Sequence, residues 1–69
     1  MKRGKLWCHD EGWMREVVWL QDPNMAQCEF QSTQGETIIL NDIAKITLFK
    51  DGDQTIDLKD GRTFILEKI

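Results

Sequence analysis

The sequence predicts a mainly β protein: an antiparallel meander of five or six strands, curled into a small barrel or a half-open sheet. Three observations carry this reading. First, glycine closes three short loops at matching points, Ser32-Thr33-Gln34-Gly35, Phe49-Lys50-Asp51-Gly52 and Leu58-Lys59-Asp60-Gly61. Each reads as a type I turn followed by a left-handed residue that closes a G1 bulge. Second, apolar and polar residues alternate on either side of those loops, the period of a strand with one buried face. Third, the chain has 69 residues, enough for one domain with a modest core, and strong local turn signals help a core of that size.

The N-terminal residues are basic, and Leu6 alternates with Cys8. Residues 10–22 have two readings. As a helix over 11–21 packed on the sheet, Asp10 is the N-cap, Trp13, Met14, Val17, Val18 and Leu20 share a stripe, and Asp22-Pro23 ends it. As a strand, Val17-Val18-Trp19 has high β-propensity, Gly12 is poor inside a helix, and His9-Asp10-Glu11-Gly12 becomes a fourth glycine loop. The strand reading is preferred because that loop follows the pattern of the other three. It pairs His9 with Trp13, Trp7 with Arg15 and Leu6 with Glu16. Pro23-Asn24 links this hairpin to a strand that begins near Met25.

Beyond that link the bulged loops fix the register. Phe30 faces Ile38, Cys28 faces Leu40, Ile46 faces Ile56, Ile56 faces Phe64, and Leu58 sits opposite Arg62. One face collects Ala26, Cys28, Phe30, Ile38 and Leu40, and continues through Ala44, Ile46, Leu48, Ile56, Leu58, Phe64 and Leu66. A two-residue Asp60-Gly61 turn instead turns Phe64 and Leu66 to the other face, the result of a one-residue slip. The opposite face is polar apart from Ile39, Phe49 and Ile65, which are either isolated exposed residues or lie under the N-terminal segment or a partner.

Composition narrows the function classes. The formal charge is −3, but Lys2, Arg3 and Lys5 precede every acid. From Leu6 onward twelve acidic side chains stand against six basic ones, a net of −6. An acidic body argues against a duplex-DNA or RNA binder, whose footprint is a basic patch, and suits a partner with a basic surface. No run of 18 apolar residues is present and no apolar region follows the basic N-terminus, so a cytoplasmic protein is expected. Cys8 and Cys28 do not make a disulfide framework, and Cys28 falls on the inward face as a small hydrophobe.

Catalytic and metal signatures are weak. His9 is the single histidine, and Cys8 beside it points to the opposite face of a strand, so the two do not converge. Cys8, His9, Asp10 and Cys28 lack the short paired spacing of a zinc site. Asp51-Gly52-Asp53 lacks the remaining ligands of a calcium loop. The expectation is a protein without cofactor or enzymatic activity. What remains is surface: Trp7, Trp13 and Trp19 fall within thirteen residues, and tryptophan is enriched at binding hot spots. One or two are expected in the core, with Trp19 the best candidate for exposure. The candidate partner-binding set is Trp13 and Trp19 with the acids Asp10, Glu11, Glu16, Asp22, Glu29 and Asp57.

The meander over residues 25–69, with Asn41-Asp42-Ile43 as a tight connection between two strands, resembles SH3-like and Sm-like small barrels. The format, a small, acidic, cofactor-free domain with aromatics, is similar to phage-encoded inhibitors of the anti-CRISPR type. That resemblance implies an inhibitor acting in the host-cell cytoplasm by covering a basic, nucleic-acid-binding surface of its target. Two other functions fit the residues. One is a barrel that binds single-stranded nucleic acid through Trp7, Trp13, Lys2, Arg3 and Lys5. The other is a structural protein that self-associates, for example as a homodimer, through an exposed edge strand.

Overall fold

The computed structural model describes residues 1–69 and contains seven strands and no helix. They are β1 (Lys2–Cys8), β2 (Trp13–Trp19), β3 (Cys28–Ser32), β4 (Thr37–Leu40), β5 (Ile43–Leu48), β6 (Gln54–Leu58) and β7 (Thr63–Lys68). All belong to one antiparallel sheet in the order β4-β3-β2-β1-β7-β6-β5. Every consecutive pair is a hydrogen-bonded neighbour except β4 and β5, and β1 pairs with β7. The meander therefore closes on itself and opens only between β4 and β5.

Following the antiparallel pairings round the sheet leaves β4 and β5 running in the same sense. They are two halves of one strand, broken at Asn41-Asp42, where Asp42 takes a left-handed φ of 56°. The first half pairs with β3 and the second with β6. This break makes seven strands of the expected five or six.

The three bulged loops form as the sequence requires. Gly35, Gly52 and Gly61 have φ of 96°, 93° and 99°. In each loop the glycine N–H donates to the carbonyl three residues back, at 3.1, 3.0 and 3.0 Å for Ser32, Phe49 and Leu58. The N–H of that same residue donates to the carbonyl after the glycine, at 2.7, 2.9 and 2.9 Å. Side chains brace the turns: Asp51 accepts from the Asp53 N–H and Asp60 from the Arg62 N–H, local bonds that favour turns over regular structure. The predicted pairs Phe30–Ile38, Cys28–Leu40, Ile46–Ile56 and Ile56–Phe64 all occur.

Trp13–Trp19 form β2, the preferred strand reading, and the alternative helix over 11–21 is absent. Three details depart from expectation. The first loop is one residue longer than predicted: the Gly12 N–H donates to the Cys8 carbonyl at 2.9 Å, and Cys8, not His9, pairs with Trp13. Trp7 then meets Met14 and Leu6 meets Arg15. The extra residue turns Trp13, Val17 and Trp19 to the inner face with Leu6 and Cys8, resolving the mixed faces of the predicted register. Ala44 sits in a bulge between Ile43 and Lys45, so Ile43 enters the core and Ala44 is exposed. Ala26 and Leu48, also expected inside, are exposed because one precedes β3 and the other ends an edge strand.

The core is the inner face of the curled sheet, with Leu6, Cys8, Val17, Trp19, Phe30, Ile56, Phe64 and Leu66 among its buried residues. Trp19 packs edge-to-face on Phe30 (centroids 5.6 Å apart), and Trp13 on Phe64 (5.9 Å), the geometry favoured by aromatic quadrupoles. Both cysteines are buried and free. Gln54 is the polar exception, 7% exposed with its Oε1 unpartnered.

The β1–β7 seam allows no side chain at position 4. A Cβ on Gly4 would lie 2.0 Å from the Glu67 carbonyl oxygen, inside any permitted contact. Gly4→Ala forces the seam apart and is expected to cost about 2–4 kcal/mol, in the range of severe overpacking. Gly61→Ala strains only φ and should cost about 1–2 kcal/mol. Urea denaturation of the two variants checks the order.

Candidate functional site

Alternation decides which side chains the sheet shows to solvent. On β1, Gly4, Leu6 and Cys8 point inward, so Arg3, Lys5 and Trp7 share the outer face. On β2 the outer residues are Met14, Glu16 and Val18, continued by Leu20 beyond the strand, and on β7 they are Thr63, Ile65 and Glu67. Pairing lines these up in rows: Met14–Trp7–Ile65, then Glu16–Lys5–Glu67, then Val18–Arg3. A sheet with one solvated face needs only polar residues there. This one carries Trp7, Met14, Ile65, Val18 and Leu20.

Trp7 is the centre of the first row. It is 40% exposed, and its Nε1–H donates to Glu67 Oε1, which fixes the indole on the surface. At the other end of the face Met1, Val18 and Leu20 line an open groove of about 490 Å³ beside Glu29 and Gln31 of β3. Leu20 is 80% exposed.

The sequence-predicted set is dispersed. Trp19 is 3% exposed and belongs to the core, because the longer first loop reverses its face. Trp13 is half-buried, its Nε1–H donating to Glu11 at 2.8 Å and its ring lying under Arg15. Asp10 accepts from the Thr63 N–H at 2.6 Å while the His9 N–H donates to the Thr63 carbonyl, so it closes the top of the β1–β7 seam. Asp57 accepts from the Thr63 hydroxyl at 2.9 Å. Asp22 pairs with Lys2 at 2.8 Å and Lys68 at 3.7 Å across the other end of the seam, and the Lys2 ammonium holds its carboxyl below the usual carboxylate range. Glu16 and Glu29 are the two members of the set with neither ion pair nor side-chain hydrogen bond, and both lie on the outer face, to either side of Val18.

Trp7, at the centre of this outer face, is not among the predicted partner-binding residues. The signal was present in the alternation of Leu6 with Cys8, which leaves Trp7 outside. The same face holds Arg3 and Lys5, neither in an ion pair. Comparison with protein-family models, with curated proteins and with solved structures finds no match for this chain.

Two tests follow. Asp10→Ala removes the acceptor of the half-exposed Thr63 N–H and should lower stability by about 0.5–1.5 kcal/mol, read from urea midpoints. Burial pushes the Cys28 thiol up to about 12, while the unfolded chain titrates near 8.5. The unfolded state therefore releases its proton first, so stability falls as pH rises from about 9 toward 12. Cys28→Ser removes this alkaline decline in a denaturation series over pH; an unchanged decline contradicts the assignment.

Proposed function

We propose that the protein is a non-enzymatic protein-binding module whose outer face docks a partner with a basic surface. In its most concrete form it is an inhibitor that occupies a nucleic-acid-binding surface of that partner. The observation that carries this reading is the apolar content of a face that the fold does not need to make apolar. Trp7 stands among Met14 and Ile65 with its N–H already satisfied by Glu67. A surface tryptophan held in one orientation presents a large contact area without first losing rotamer freedom, as binding hot spots do.

Charge supplies the choice of partner. Glu16 and Glu29 form no ion pair within the chain, and carboxylates beside an apolar surface favour lysine and arginine across an interface. Lys5 stands between Glu16 and Glu67 in its row, so the row is net acidic. A second reading rests on one specific feature: Arg3, Lys5 and Trp7 share a strand face, an arrangement that can stack a base and hold its phosphate.

The two readings part in one experiment. Partner captured from cells is purified and its affinity measured for the wild type, Trp7→Ala and the Glu16→Lys/Glu29→Lys pair, beside a titration of the wild type with oligothymidylate at low salt. The proposal expects about 30-fold weaker partner binding for Trp7→Ala, as for a hot-spot residue, a reduced salt dependence for the charge-reversed pair, and no response to oligothymidylate. Partner binding that ignores both variants overturns it. Tight, salt-sensitive oligothymidylate binding replaces it with the second reading.

A further inference from the structure

The break between β4 and β5 leaves β5 with a free edge, and the hydrogen-bond register says which groups lie on it. The Phe49 N–H donates to the Asp53 carbonyl. Bonded and non-bonded pairs alternate along an antiparallel ladder. Thr47–Thr55 and Lys45–Asp57 are therefore bonded pairs as well, and Ile46 and Leu48 turn their N–H and C=O groups away from β6. No other backbone hydrogen bond outside the strand ladders reaches β5. The side chains at this end are also uncovered: Leu48 is 66% exposed and Phe49 51%. Unpaired main-chain groups beside exposed apolar side chains make a template for another strand.

We propose that the occupant of this edge is the β5 of a second copy, paired antiparallel about a twofold axis at Thr47. The edge is self-complementary, as a twofold contact requires. With Thr47 opposite its own copy, Ile46 and Leu48 of one chain meet Leu48 and Ile46 of the other. These are the residues whose main-chain groups point outward, so the two strands exchange four N–H···O=C bonds. They lie on the same inner face, so the register continues an apolar row from one copy to the other. On the outer face Lys45 meets Phe49 of the partner copy, a stem-on-ring and cation–π contact. Lys50 faces Ala44, so no like charges stand directly opposite. A one-residue slip of register, which moves the axis to a point between two residues, sets outward-pointing groups against groups already bonded to β6. The edge lies three strands from Trp7, along the row Trp7–Ile65–Thr55–Thr47.

Sedimentation velocity across a range of protein concentrations, with amide hydrogen exchange on the same samples, tests it. The proposal expects a reversible dimer, and the Ile46 and Leu48 amides gain at least ten-fold protection as it forms. Leu48→Pro deletes an outward N–H without touching the β6 ladder and should weaken association at least ten-fold. Leu48→Lys, which keeps the backbone intact, should do the same if the proline variant fails to fold. A monomer at every concentration, or a dimer that survives Leu48→Lys with the Ile46 amide still exchanging freely, overturns the proposal.

Discussion

Everything in this molecule depends on the pairing of β1 with β7. The two strands come from the opposite ends of the chain, and without their ladder the sheet is two separate meanders, β1 to β4 and β5 to β7. Each alone has one apolar face and nothing to cover it. Joining them curls the sheet so that Phe30, Val17 and Trp19 from one part enclose a single core with Ile56, Phe64 and Leu66 from the other. The closeness of that approach shows at Gly4, where the Glu67 carbonyl takes the space of a side chain. The ends of the seam are fastened too, by Asp10 on the Thr63 N–H and by Asp22 between Lys2 and Lys68.

This closure explains how the acidic excess is used. Many of the acids work locally: Asp51 and Asp60 brace turns, Asp10 and Asp57 hold Thr63, and Asp22 joins the chain ends. Net charge is therefore a poor guide to a binding patch here. What distinguishes the outer face is the combination of Trp7 and its apolar neighbours with two carboxylates, Glu16 and Glu29, that the fold does not employ.

The C-terminal two-thirds could be read from the sequence because its punctuation is local. A glycine at the left-handed position of a short loop sets the register of both flanking strands, and Gly35, Gly52 and Gly61 do so in turn. The first hairpin was harder. Its Gly12 is left-handed as well, but it closes a four-residue loop, and loop length alone decides whether Trp13 and Trp19 face in or out. That single residue puts Trp19 in the core and leaves Trp7 as the exposed tryptophan. The break at Asn41-Asp42 was visible as a tight connection, but the bulge that follows at Ala44 has no local signal, since it serves the turn from one part of the sheet to the other. Gly4 gave no sign of its role, because the strand that crowds it lies more than sixty residues away.

The β1–β7 register closes the sheet and places Trp7 on the outside. Non-hydrogen-bonded antiparallel partners bring their Cα atoms to about 4.5 Å, which makes their Hα protons near neighbours. The His9–Thr63 and Arg3–Ile69 bonds make Leu6–Leu66 and Cys8–Phe64 such pairs. Solution NMR should show strong Hα–Hα nuclear Overhauser effects between Leu6 and Leu66 and between Cys8 and Phe64. Their absence, with effects instead from Trp7 to Leu66 or Phe64, would mean a slipped seam that turns Trp7 inward, and the closure described above would be wrong.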